Sequence, residues 1–232
     1  MKIKNFKGVD IVFEDNHLLV VNKPAGMPSQ GDNTGDESVF DWAKIYIKET
    51  YNKPGEAYVA LTHRLDRPTG GIVLLCKTSK AAKRISQQFQ ERAIEKTYWA
   101  ITERIPEPSN GTLEHYLRRL DGKNIMRAYD KNVHSSKKAT LSYETLSVKN
   151  EKALLEIKPK TGRKHQIRVQ LSTLRCTIKG DVKYGKTKFN SDKSICLLAK
   201  KLSISHPITK EKTTFEVPYP VSECWDDFRD VS

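Results

Sequence analysis

A single carboxylate, Asp66, stands between Arg64 and Arg67 just before a run that can only be buried, Ile72-Val73-Leu74-Leu75. That run is short, continuous and rich in β-branched residues, and Gly70-Gly71 opens it, so it reads as an interior strand. Asp66 therefore lies in an ordered loop entering the core. An ionised carboxylate there is costly unless it is paired, and Arg64 and Arg67 are the partners at hand. Two readings follow. One is a structural ion pair that holds the loop, the ordinary outcome for an isolated Arg-x-Asp. The other is a carboxylate kept ionised for use as a nucleophile or base.

Three more groups could take part in chemistry. Residues 164–174 read as a helix in which Ile167, Leu171 and Leu174 form the buried stripe. Arg168 falls at the edge of that stripe, half-buried, and needs an anion. Glu156 and Asp181 are the local candidates, and a more distant carboxylate is the alternative. Arg163 and Lys164 open the same helix, where cations oppose the helix dipole, so an external anion such as a phosphate is favoured over a structural role. Tyr98 lies on a strand over 97–102, with Ala100 on its face and Thr97 and Trp99 on the other. An aromatic in that setting is more often core than site.

The elements that must position these residues read as mainly antiparallel. Residues 11–13 and 18–21 flank Asp15-Asn16-His17 as a hairpin. Helices are expected over 38–51, capped by Ser38, and over 79–92, with Ala82, Ile85 and Phe89 on the apolar side. Further strands are expected over 113–118, 139–148, 154–159, 195–204 and 213–217. Strands follow one another without intervening helices, which points to an α+β fold. Its core is a mainly antiparallel mixed sheet with a few flanking helices, not a doubly wound one. No linker or repeat interrupts the chain, so residues 1–232 read as one catalytic domain with its core at about 9–220.

Lys plus Arg number 41 against 28 Asp plus Glu, a net charge of +13. So one-sided a balance predicts a polyanionic partner, most simply nucleic acid. No apolar run approaches the roughly 20 residues of a membrane span, and the first residues lack a secretory signal. The four cysteines show no Cys-x-x-Cys spacing. They read as free, reduced thiols of a cytosolic protein, with neither a metal site nor a disulfide.

His63-Arg64-Leu65-Asp66-Arg67-Pro68-Thr69-Gly70-Gly71 resembles a motif of the RluA-type pseudouridine synthases, which modify ribosomal and some transfer RNAs. Gly70 stands where that family usually has serine. Asn22-Lys23-Pro24-Ala25-Gly26, Lys96-Thr97-Tyr98 and the segment from Thr161-Gly162-Arg163 through His165-Gln166-Ile167-Arg168 to Leu171 resemble further family segments, with Gln170 replacing a usual histidine. Gly180-Asp181, Tyr184-Gly185 and His206-Pro207 follow in the expected order. The resemblance covers nearly the whole chain. It implies the pseudouridine synthase catalytic fold and an enzyme that isomerises a specific uridine in structured rRNA or tRNA. The first matching segment begins almost at once, so the small RNA-binding module often found ahead of the catalytic domain is expected to be absent.

The same resemblance implies the roles. Asp66 is the catalytic carboxylate, Tyr98 stacks on the target uracil, and Arg168 pairs with the aspartate. Arg64 holds the flipped nucleotide or the space it leaves. Leu171, Arg163 and Lys164 are assigned to substrate binding. The isomerisation needs no metal, redox cofactor or nucleotide. The expected partner is RNA, not a membrane, and the expected state is a cytoplasmic monomer. Specificity is expected from loops over 23–35 and 111–134, the second of which carries Arg118, Arg119, Lys123, Arg127 and Lys131. Two rivals are weaker. A non-catalytic RNA binder would call for a broken Asp66 motif. A two-carboxylate glycosidase would need a second acid near Asp66, and only Asp181 is a candidate, better read as a turn residue.

Overall fold

A computed structural model describes residues 4–185, 188 and 190–231. In chain order the strands are β1 (Lys4–Phe6), β2 (Val9–Glu14), β3 (Leu18–Lys23), β4 (Ala60–Leu61), β5 (Gly70–Cys76), β6 (Glu95–Thr102), β7 (Asn110–Arg119), β8 (Met126–Tyr129), β9 (Lys137–Lys149), β10 (Lys152–Pro159), β11 (Leu197–Ser205) and β12 (Lys212–Glu216). The helices are α1 (Val39–Thr50), α2 (Ser79–Gln90) and α3 (Gln166–Thr173), and a 3₁₀ segment spans Glu223–Val231. They form two compact units. One joins Met1–Glu95 with Ala199–Pro218, and the other joins Lys96–Leu198 with Tyr219–Ser232.

In the first unit β1, β2, β3 and β5 pair antiparallel in that order, and the expected hairpin is β2–β3. Leu18, Leu19, Val20 and Val21 are all fully buried, as are Val73, Leu74 and Leu75 opposite them. Strands enclosed on both faces read as continuous apolar runs, which is why the sequence showed them plainly. Ser38 caps α1 through a capping box with Asp41. Trp42 and Tyr46 stack at 5.4 Å, and the Trp42 indole donates to the Phe6 carbonyl at 2.9 Å, tying α1 to β1. Gly71 has φ +112°, and a Cβ there would come 2.6 Å from the backbone nitrogen of Ala199 in β11. Only glycine fits so close an approach.

In the second unit the order is β6, β10, β9, β7, β8, again antiparallel throughout. The α+β, mainly antiparallel expectation is borne out by these pairings. Several local expectations are corrected. Residues 111–134 are not a loop, because β7 and β8 fold the basic set into a hairpin. β8 is four residues long and escapes a periodicity search. Helix α3 starts at Gln166, after His165 in the left-handed region at φ 52°, so Arg163 and Lys164 precede it and do not open it. The expectation of four free thiols also fails. Cys196 and Cys224, 28 residues apart with Cα atoms 6.0 Å apart, form a disulfide, while Cys76 and Cys176 are free and buried. The bridge pins the 3₁₀ segment, which Lys152 and Lys179 also hold through Asp227. Sequence spacing gives no hint of it because the antiparallel pair β11–β12 lies between the two cysteines and brings them together.

Candidate active site

Asp66 lies half-buried between β4 and β5, and the backbone on either side of it is fixed. On one side the Ser29 hydroxyl accepts from Leu65 N at 3.0 Å and donates to Leu65 O at 2.9 Å. On the other side the Arg67 carbonyl accepts from Gly26 N at 2.8 Å and from Lys23 Nζ at 3.2 Å. Lys23 Nζ also donates to Pro24 O at 3.0 Å and Met27 O at 2.7 Å. Thr69 N closes a turn onto Asp66 O at 3.0 Å. His63 braces the start of the segment by accepting from Leu74 N at 2.9 Å, with its ring 5.0 Å from Phe89. The loop is thus an ordered cradle whose internal bonds are mostly to backbone.

Lys23 is 1% exposed at the floor of this cradle. Burial pushes its ammonium down to about 7, against the opposing pull of the Asp66 charge, and the Arg67 charge adds to the fall. Neither arginine serves Asp66 as the sequence suggested. Arg67 directs its guanidinium to Thr34 at 2.9 Å, to Asp32 at 3.4 Å and to Asp36. Arg64 is exposed and has no ion pair among the described residues. The physical reason is chain direction: the 24–36 loop folds back over Arg67, so acids more than thirty residues away reach it first.

The second unit carries the remaining candidates. Tyr98 is half-buried on β6, opposite Ile157 of β10. Arg168 is not at a half-buried edge but 5% exposed, because Gln166 to Leu171 are all buried and α3 has almost no outer face. Its Nε donates to Asp181 Oδ2 at 2.7 Å and its Nη2 to Asp181 Oδ1 at 2.8 Å, a bidentate pair with an acid that is 1% exposed. The local ion pair considered from sequence therefore exists. Asp181 is also the expected turn residue, since its carbonyl accepts from Gly185 N at 2.8 Å. The Tyr184 ring lies 5.3 Å from the Arg168 guanidinium. Its hydroxyl accepts from Met126 N of β8 at 2.9 Å and shares a hydrogen bond with His165 Nδ1 at 2.7 Å.

The start of α3 lacks a side-chain N-cap, and Gln166 supplies an alternative. Its Oε1 accepts from Arg163 N at 3.0 Å and Thr161 Oγ1 at 2.7 Å. Arg163 Nε is spent on the Lys138 carbonyl at 3.0 Å, Lys164 is exposed, and Leu171 is fully buried. Gln170, at the position of the family histidine, is fully buried and donates to Leu113 O at 3.1 Å, locking α3 to β7. Sequence reasoning missed Ser29 and the anchoring roles of Lys23, His165 and Tyr184. Lys23, His165 and Tyr184 did lie in segments that carried the resemblance, which was the available signal.

Residues 17–173 match the family model described as RNA pseudouridylate synthase. The chain belongs to that family, whose members are isomerases acting on RNA. It is 32% identical over 212 residues to "Ribosomal large subunit pseudouridine synthase C" of Rickettsia bellii, covering 90% of this chain and 68% of the relative. It is 35% identical to "Pseudouridylate synthase RPUSD4, mitochondrial" of Mus musculus over 75% of this chain, and spans only 51% of that protein. The solved structure "Human RNA Pseudouridylate Synthase Domain Containing 4" superposes with a TM-score of 0.76 at 29% identity, covering 91% of this chain and 88% of that one. No helix among the described residues is long and apolar enough to cross a membrane.

Proposed function

We propose that the protein converts a specific uridine of structured ribosomal or transfer RNA to pseudouridine, with Asp66 as the catalytic group. The reaction breaks the C1′–N1 glycosidic bond, turns the uracil and forms a C1′–C5 bond. The C5 proton leaves and N1 gains one, so the atoms balance without an oxidant, reductant or metal. Asp66 serves by attacking the sugar, attacking the base or taking a ribose proton, and the three routes share this outcome. The target base is flipped out, since a stacked uridine is out of reach. Tyr98 stacks on it, a contact worth about 1–3 kcal/mol. Arg168 supplies positive charge toward Asp66, Arg64 holds the flipped nucleotide, and Arg163, Lys164 and Leu171 contribute to substrate binding. The whole of residues 1–232 acts as one catalytic domain, a cytoplasmic monomer.

The observation that carries this reading is the double anchoring of the Asp66 loop, with Leu65 held by Ser29 and Arg67 by Lys23 and Gly26. A loop fixed on both sides of one carboxylate suits a reacting group, which must keep its place when a substrate enters. The direct test is tritium release from RNA labelled at uracil C5, using the purified chain and total ribosomal and transfer RNA. Release at a discrete site supports the proposal, and mapping pseudouridines in a deletion strain would name the site. Tight RNA binding with no release would leave a binding protein on a synthase fold.

A further inference from the structure

Several basic residues near the interior are matched with acids: Lys77 with Glu14, Lys152 with Asp227 and Arg168 with Asp181. The β7–β8 hairpin is different. Arg118 and Arg127 are direct cross-strand partners, and their guanidinium carbons lie 5.7 and 5.4 Å from the centre of one ring, Tyr129. Like charges placed opposite each other destabilise a strand pair. Among the described residues neither arginine has an ion pair, and Arg118 Nε is buried with no hydrogen-bond partner. The neighbouring acid Glu114 is taken by Lys138, and Asp130 faces His115 at 3.9 Å. A buried donor left unsatisfied carries its full desolvation cost. Two guanidinium forks gathered on one ring, without an acid between them, make a seat for a tetrahedral oxyanion.

We infer that Arg118 and Arg127, gathered on Tyr129, clamp one phosphodiester of the RNA substrate at a site separate from the reacting uridine. This rests on the reading of the protein as an RNA-modifying enzyme and adds to it a discrete backbone contact. The clamp is held in a fixed place. Met126, next to Arg127, donates to the Tyr184 hydroxyl, and the Lys183 ammonium holds the Asn124 carbonyl of the hairpin turn at 3.1 Å. The ring of the same Tyr184 underlies Arg168. A phosphate seated on the hairpin thus has a set position relative to Arg168, so the clamp acts as a ruler along the RNA strand. Arg119 is not part of it, being exposed with its Nε bonded to the Lys123 carbonyl at 3.1 Å.

The test compares two double variants that remove equal charge, Arg118→Gln with Arg127→Gln and Arg119→Gln with Lys123→Gln. Binding of a labelled oligouridylate is measured across a salt series, with inorganic phosphate and polyglutamate as competitors. The clamp variant should lose about ten-fold in affinity and flatten the salt slope by about 0.7, the value for one phosphate on a single strand. The control should change by less than half as much. Arginine-to-lysine changes at 118 and 127 should restore the slope but only part of the affinity, because the fork is lost. With ribosomal and transfer RNA in the tritium assay, the clamp variant should raise KM and spare kcat. Its melting temperature should hold or rise, since two facing like charges are gone. Equal losses in both doubles would overturn the clamp in favour of a diffuse basic surface. A drop in melting temperature with unchanged affinity would show that the arginines only prop Tyr129. Competition by phosphate alone as strong as by RNA would mean a free-anion site, and by polyglutamate a protein-docking one. Absence of turnover in the wild-type chain, with the clamp effects intact, would refute the synthase reading and leave the clamp.

Discussion

The loop that carries Asp66 and the helix that carries Arg168 hold charged side chains near the interior with different materials. Around Asp66 the internal bonds run to backbone: Ser29 to both polar groups of Leu65, and Lys23 to three carbonyls. Around Arg168 the anchor is a pair of opposite charges, both almost fully buried. A backbone network has many weak members and loses strength in steps. A buried ion pair has two strong members, and removing either leaves the other uncompensated. The loop should therefore tolerate single changes that spare Asp66, whereas the helix seat should fail abruptly.

The largest expected effect is on chemistry. Asp66→Asn should lower kcat by about 10³-fold or more, while RNA affinity stays within a few-fold because binding rests on many phosphate contacts. The fold should hold, since Ser29, Lys23 and Gly26 still anchor the backbone on both sides. Measurable turnover by this variant, free of wild-type enzyme, would remove Asp66 from the catalytic role and reduce its loop to an anchor.

Next in size is the helix seat. Arg168→Ala strands Asp181, and Asp181→Asn removes the bidentate partner of Arg168, so Arg168→Ala should cost about 3–5 kcal/mol and Asp181→Asn less in a denaturant titration. Changing both together, Arg168→Met with Asp181→Leu, should recover much of that loss because the buried Asp181 charge goes with its partner. Activity separates structure from site. If Arg168 serves only the fold, the double variant regains kcat with its stability. If it supplies charge to the reaction, the double variant is stable and inactive, and Arg168→Lys recovers only part of the rate.

What was legible in the sequence follows the same divide. The β2–β3 hairpin, the Ser38 cap and the buried β5 strand were readable because local signals set them. Periodicity failed on α3. Its rule assumes one wet face, and a helix buried from Gln166 to Leu171 has none, so Arg168 was placed at an edge that does not exist. No Ser, Asp or Asn marked the helix start, since Gln166 satisfies the neighbouring backbone from inside. Arg67 looked like a partner for Asp66 because the two are adjacent, yet its acids arrive from the 24–36 loop. The short strands β1 and β8 and the Cys196–Cys224 bridge depend on tertiary proximity, which no local pattern records. The roles of Asp66, Arg168 and Tyr98 rest on the motif segments, and no local pattern assigns them.

On the loop side, Lys23 gives a pH test. Its folded-state value, near 7, lies below the ordinary 10.5, so between these limits the unfolded chain holds a proton that the folded chain has released. Unfolding free energy should then rise with pH across that window, by up to about 1.4 kcal/mol per unit, and flatten below about 7, where both states are protonated. Lys23→Met should erase this component. The three carbonyls also lose their donor, so the variant should fall furthest behind wild type at high pH. Chemical denaturation of both proteins from neutral to alkaline pH measures the difference. Parallel curves would show that Lys23 keeps its proton on its three carbonyls throughout.

The smallest effect tests whether the loop yields in steps. Ser29→Ala leaves the N–H and carbonyl of Leu65 without their shared partner in a buried place, a cost of about 1–3 kcal/mol. Lys23 and Gly26 still hold Arg67, so the segment should stay folded but let Asp66 wander. The expected signature is a modest drop in melting temperature with a larger drop in kcat and little change in KM, because binding does not depend on Leu65. Ser29→Thr keeps the hydroxyl and should restore the rate if the added methyl is accommodated. Should Ser29→Ala lower stability as much as Arg168→Ala does, the loop is a single cooperative unit, and the contrast between the two anchors disappears.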